Sequence, residues 1–75
     1  MLTIETSTYE YKERKVVRYT PILTPGSPVF SGQLQFAFYE VWEDEPGHVH
    51  KMARINAVNN AIDVLSQELK AISKI

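Results

Sequence analysis

Six aliphatic residues in the last third of the chain recur on a seven-residue period. Ile55, Ile62 and Leu69 form one series; Val58, Leu65 and Ile72 form the other. Together they line one side of a 3.6-residue helix. Asn59, Asn60, Asp63, Ser66, Gln67, Lys70 and Lys74 fall on the opposite side. A helix carrying such a stripe must cover it, so the preceding residues have to supply an apolar surface. Asn56 suits the N-cap, where its side chain can accept a backbone N–H. Lys70 and Lys74 complement the dipole at the C-terminal end. Ala57, Ala61, Val64 and Ala71 widen the apolar arc beyond a bare seam. That width suits a sheet on one side. It leaves Val58, Ala61, Val64, Leu65 and Ile72 as candidate interface residues toward a second molecule. The heptads are too few for a stand-alone coiled coil.

The residues before the helix read as strands. Leu2 and Ile4 alternate with Thr3 and Glu5, the period of an extended chain with one buried face. Residues 2 to 20 are rich in Thr, Tyr and Val, which fit a pleated surface. This run is one long strand with a bulge or two strands; the charged stretch Glu10 to Lys15 leaves both open. Residues 20 to 32 hold three prolines and two glycines and read as a structured loop with a short edge segment near Ile22 and Leu23. Pro25-Gly26 suits the centre of a type II turn. Residues 33 to 43 form the clearest strand, with Leu34, Phe36, Phe38 and Trp42 on one face and Gln33, Gln35, Ala37, Tyr39 and Val41 on the other. Glu43 to Gly47 is a turn around Pro46-Gly47. Residues 48 to 55 read best as a strand returning beside the aromatic one, although Val49, Met52 and Ile55 also fit helical spacing. The expected fold is α+β: a small three- to four-stranded antiparallel β-meander followed by one C-terminal amphipathic helix packed on the sheet. Leu34, Phe36, Phe38, Trp42, Ile55, Val58, Ile62, Leu65, Leu69 and Ile72 form its core.

Seventy-five residues are room for one domain, spanning 1–75. A chain this short buries only roughly 60% of the surface that it exposes when unfolded. There is no cysteine, so neither a disulfide nor a thiolate metal site can staple the thin core. Self-association or a protein partner is the remaining staple, and a homo-oligomer is expected. Absence of cysteine fits a cytoplasmic location. No run is apolar enough to span a membrane, and Met1 to Glu5 lack the features of a signal peptide.

Net charge is −1, from 8 basic and 9 acidic residues, which is no general nucleic-acid footprint. One segment has the local composition for it. On a regular strand, Lys12, Arg14 and Arg18 share a face, and Tyr9, Tyr11, Lys15 and Tyr19 share the other. Rings that stack on bases beside cations that pair with phosphates are how single strands are held. The competing reading is an edge strand guarded by charge.

Nothing points to catalysis or to a cofactor. His48 and His50, on a strand, would point to one side, with Glu43, Asp44 or Glu45 nearby. They fall short of the ligand set that zinc takes, so no metal is expected. No base is spaced to activate a nucleophile, and Gly26-Ser27-Pro28 is turn chemistry, not a nucleophile elbow. The acidic cluster Glu40, Glu43, Asp44 and Glu45 reads as a solvated turn or as a contact for a basic protein surface.

In outline, a meander with a C-terminal helix resembles the end of double-stranded RNA-binding domains. Their lysine cluster is replaced here by Asn56-Ala57-Val58-Asn59-Asn60, so duplex RNA binding does not carry over. The outline is also similar to small dimeric single-strand DNA binders of the transcription-coactivator type, in which the sheet holds nucleic acid and the helices pair. The expectation is therefore a non-enzymatic protein-interaction module, a homodimeric regulator or accessory subunit. Single-stranded nucleic-acid binding is the alternative.

Overall fold

Strand β1 (Leu2–Tyr11) runs out, and β2 (Arg14–Leu23) returns antiparallel to it with Tyr11 opposite Arg14. Only Lys12 and Glu13 lie between. Both have positive φ, 50° and 66°, the left-handed pair that a two-residue type I′ hairpin needs. The long extended run is thus two strands and not one regular strand. The computed structural model describes residues 1–24 and 32–73. The Pro25-Gly26 turn, Ser27, Pro28 and the helix-dipole role of Lys74 lie outside the described residues.

Residues 20 to 23, expected in a loop, are the end of β2. The other edge of β2 is paired twice, by β3 (Leu34–Gln35) and by β4 (Tyr39–Trp42). The two registers do not match. Ile22 faces Gln35 and Tyr19 faces Tyr39, so three residue steps on β2 oppose four on the facing chain. An extra residue between Gln35 and Tyr39 is a β-bulge, and it divides the single strand expected over 33–43. The bulge also explains a proline in a central strand. The Pro21 carbonyl accepts from the Phe36 N–H at 3.0 Å. A strand residue directs its N–H and C=O to the same side. The donor that Pro21 lacks is therefore missing where the ladder is already interrupted.

Helix α1 spans Gly47–Ser73. The Pro46 carbonyl accepts from the Val49 and His50 N–H groups at 3.0 and 3.4 Å, so Pro46-Gly47 opens the helix instead of turning a hairpin. Proline suits that place because its missing N–H would have no helical acceptor there. Residues 48 to 55 are accordingly helical, not a returning strand, and Asn56 lies inside the helix, not at its cap. The aromatic strand needs no partner from 48–55, because β2 already serves it.

The fold is α+β, an antiparallel sheet followed by one C-terminal helix that packs on it, as expected. Its core differs from the expected one. Ala53, Ala57 and Ala61, four residues apart on one row, are the buried residues of α1. Ala53 meets Val17 and Tyr19 of β2, with Ile4, Tyr39 and Val41 packed around them. Methyl-sized side chains let the helix backbone approach the sheet, and the large aliphatics then point aside. Ile62, Leu69 and Ile72 are 47%, 68% and 65% exposed, Ile55 is exposed, and Val58 and Leu65 are half-buried. Leu34 and Phe38 are exposed, and Phe36 and Trp42 are half-buried. The bulge is the reason these four do not share a face: Leu34 pairs with Leu23, whereas Trp42 pairs with Val16, whose side chains alternate to opposite sides. The β4 residues under the helix are Tyr39 and Val41. Val16, Val17 and Ile22 are buried on β2, each contributing about 1.5–3 kcal/mol before the entropy of ordering is subtracted.

Candidate functional site

The hairpin register decides which of the candidate residues meet. Residues that pair across antiparallel strands point to the same face. Tyr9 pairs with Val16, Tyr11 with Arg14, Ser7 with Arg18, Val16 with Trp42 and Arg18 with Glu40. Tyr9, Tyr11, Arg14 and Arg18 therefore share the face away from α1. Lys15 and Tyr19 alternate to the helix side, so the expected grouping of Tyr9 and Tyr11 with Tyr19 does not form. Lys12 sits in the turn, its Nζ 5.3 Å from the Tyr11 ring centroid.

Cations and rings alternate across this open face. The Arg14 guanidinium carbon lies 4.0 Å from the Trp42 ring centroid, and that of Arg18 lies 4.0 Å from Phe38 and 5.2 Å from Tyr9. Each falls within cation–π range. Both guanidiniums are also ion-paired. Arg14 Nη2 is 3.1 Å from Asp44 Oδ1, and Arg18 Nη2 is 3.5 Å from Glu40 Oε2. The Arg18 Nε is buried and, among the described residues, has no hydrogen-bond acceptor. The Tyr9 hydroxyl donates to the same Glu40 Oε2. That hydrogen bond, with lesser help from partial burial and from the Glu40 charge, raises Tyr9 above the ordinary phenol range, while Arg18 pulls it back. Tyr9, Tyr11, Val16, Glu40, Val41 and Trp42 line a shallow recess of about 290 Å³ here.

Phe38 and Trp42 were expected in the core, and Glu40 in an acidic cluster with Glu43, Asp44 and Glu45, not on this face. The pairing of β4 with β2 is what places Glu40 opposite Arg18.

The other uncovered surface is the aliphatic stripe of α1. Of the candidate interface residues, Val64 and Ile72 are exposed, Val58 and Leu65 are half-buried, and Ala61 has no exposed surface. Ile55 and Val58, with Arg54, Asn59 and Ile4 of β1, line a groove of about 350 Å³. It runs where the helix, lying over β2 and β4, leaves the face of β1 open.

The histidines separate because they lie on a helix. Two residues apart is over half a turn, so His48 is exposed and His50 turns to the core. His50 Nε2 donates to the Glu43 carbonyl at 3.2 Å, which leaves Nδ1 to accept from the Tyr19 hydroxyl at 2.7 Å. His50 is thus a fixed structural link between β2 and the start of α1, not one of an exposed pair. Among the described residues no cluster of three or more His, Asp or Glu could hold a metal ion, and no helix is long and apolar enough to cross a membrane. No protein-family model, no curated protein and no solved structure matches the chain.

Proposed function

We propose that the chain is a non-enzymatic protein-interaction module, a homodimeric regulator or accessory subunit working in the cytoplasm. One observation carries the reading: α1 uses its alanines for its own sheet and leaves the aliphatic stripe Ile55, Val58, Ile62, Leu65, Leu69 and Ile72 outside the core. From Ile62 to Ser73 only Leu65 is even half-buried. A seven-residue repeat of this kind is the pattern by which one helix packs on another. Leaving it in water would forgo about 25 cal/mol for every Å² of apolar surface. A second copy brings the same stripe, related by two-fold symmetry, so the surface is complementary to itself.

Sedimentation equilibrium tests this. The wild type sediments at twice the monomer mass, and Leu69→Asp with Ile72→Asp sediments as a folded monomer, since both side chains lie outside the core. A wild type that stays monomeric at every concentration refutes the homodimer.

Single-stranded nucleic-acid binding keeps one argument in its favour, the convergence of Tyr9, Tyr11, Arg14 and Arg18 on an open face. It ranks second because Asp44 and Glu40 already neutralise both guanidiniums. It requires oligonucleotide affinity that falls steeply with salt and that Arg14→Glu with Arg18→Glu abolishes.

A further inference from the structure

We infer that the recess on the open face of the sheet binds a methylated ammonium group, either free or carried on a lysine side chain. The proposal is independent of the dimer, which uses the opposite side of the molecule.

The register builds the site. Val16 is its floor, buried on the central strand. Tyr9 stands opposite Val16 on β1, and Trp42 stands opposite it on β4. Neighbouring strands are about 4.8 Å apart, so the two rings rise from backbones roughly 9.6 Å apart. A cation held over Val16 lies about 5 Å from each, within the ~6 Å over which a ring quadrupole attracts a cation. Tyr11, two residues beyond Tyr9 on the same face, closes one end. Glu40, two residues before Trp42, closes the other, its charge already offset by Arg18.

The rings of this face already attract cations. Trp42, Phe38, Tyr9 and Tyr11 each carry a guanidinium or ammonium of the chain itself at 4.0 to 5.3 Å. Arg14 does not fill the recess; it lines the adjoining one with Glu13, Lys15, Glu43 and Asp44. The chemistry of the lining selects among external cations. A primary ammonium is compact and strongly hydrated, and it would need several acceptors in exchange for its water. Glu40 Oε2 is already taken by Tyr9 and Arg18, and Oε1, which accepts no hydrogen bond among the described residues, offers one. A methylated ammonium has little or no hydrogen-bonding demand and presents apolar methyls to Val16 and the rings, which is the demand an aromatic cage meets.

Trp42 is the only tryptophan, so its fluorescence reports the recess directly. The purified protein is titrated, at matched ionic strength, with choline and with 3,3-dimethyl-1-butanol, its uncharged isostere. In parallel arms it is titrated with a short peptide carrying trimethyl-lysine and with the same peptide unmodified. The expected result is a saturable change with choline or with the trimethyl-lysine peptide, at an affinity at least about fivefold above the uncharged or unmethylated counterpart. Tighter binding of the peptide assigns a protein-borne ligand; equal binding assigns the small cation. Glu40→Gln and Tyr11→Leu, both on the surface and checked for native circular dichroism, should each weaken binding severalfold. No saturable change with either methylated probe overturns the proposal. So does equal affinity for the charged and uncharged isosteres, or unchanged affinity in both variants.

Discussion

Ala57→Leu tests the arrangement of helix on sheet more sharply than any change to a large residue. Ala57 is fully buried at the centre of the alanine row, and leucine there adds three carbons where two backbones meet closely. Leucine is nearly as good a helix former as alanine, so propensity does not confuse the result. Overpacking of this kind costs about 1–3 kcal/mol. For a domain of this size each kcal/mol shifts the melting temperature by about 4–8 °C, so a drop of at least several degrees is expected. Ile62→Ala is the contrast. It removes three carbons from a side chain 47% exposed, and at ~0.8 kcal/mol per fully buried CH₂ it loses about 1 kcal/mol within one chain. Any larger loss at Ile62 should depend on protein concentration, because it would come from assembly. Urea denaturation followed by far-ultraviolet circular dichroism at two protein concentrations measures both. A neutral Ala57→Leu, together with a concentration-independent loss well above 2 kcal/mol for Ile62→Ala, would show that the helix presents its other side to the sheet.

Two further outcomes follow from the hairpin and from the open face. Glu13→Gly relieves a non-glycine residue at φ 66°; about 1–2 kcal/mol of strain offset by about 0.5–1 kcal/mol of chain entropy leaves a net gain near 0.5–1 kcal/mol. It is read as a higher urea midpoint with an unchanged slope. Tyr9 should ionise above the ordinary phenol value because of Glu40, and in Glu40→Gln it should fall back, as followed by nuclear magnetic resonance titration of the tyrosine rings. A raised folded value means that this contribution to stability is present at neutral pH and is lost as the pH climbs above about 10 through the folded value.

The strands and the helix were legible because large residues repeat on their periods: Leu2 and Ile4 on two, Ile55, Ile62 and Leu69 on seven. The contacts were less so. Periodicity weighs isoleucine and leucine above alanine, yet closeness of approach favours alanine, so the row Ala53, Ala57 and Ala61 was hidden beneath a more conspicuous stripe. Lys12-Glu13 lacks the Asn or Gly that marks a type I′ turn, and so one bulged strand and two strands both stayed open. Pro46-Gly47 is chemically at home both in a hairpin turn and at a helix start, and only the pairing of β4 with β2 decides between them. The candidate cluster was half assembled: Tyr9, Tyr11, Arg14 and Arg18 did converge, but parity across the turn sent Tyr19 and Lys15 to the far side. Trp42 and Glu40 completed the open face through a strand pairing that no local pattern encodes.

The additional residue between Gln35 and Tyr39 works as a phase shifter in the chain. Before it, even-numbered Leu34 lies on the helix side; after it, even-numbered Glu40 and Trp42 lie on the open side. Removing Ala37 would leave three steps facing three, so β3 and β4 could both keep their registers on β2, and Trp42 and Glu40 their face. What would be lost is the gap in the ladder opposite Pro21, and an unbroken ladder would meet a residue that has no N–H to give. The additional residue is thus the room that a proline in the central strand requires.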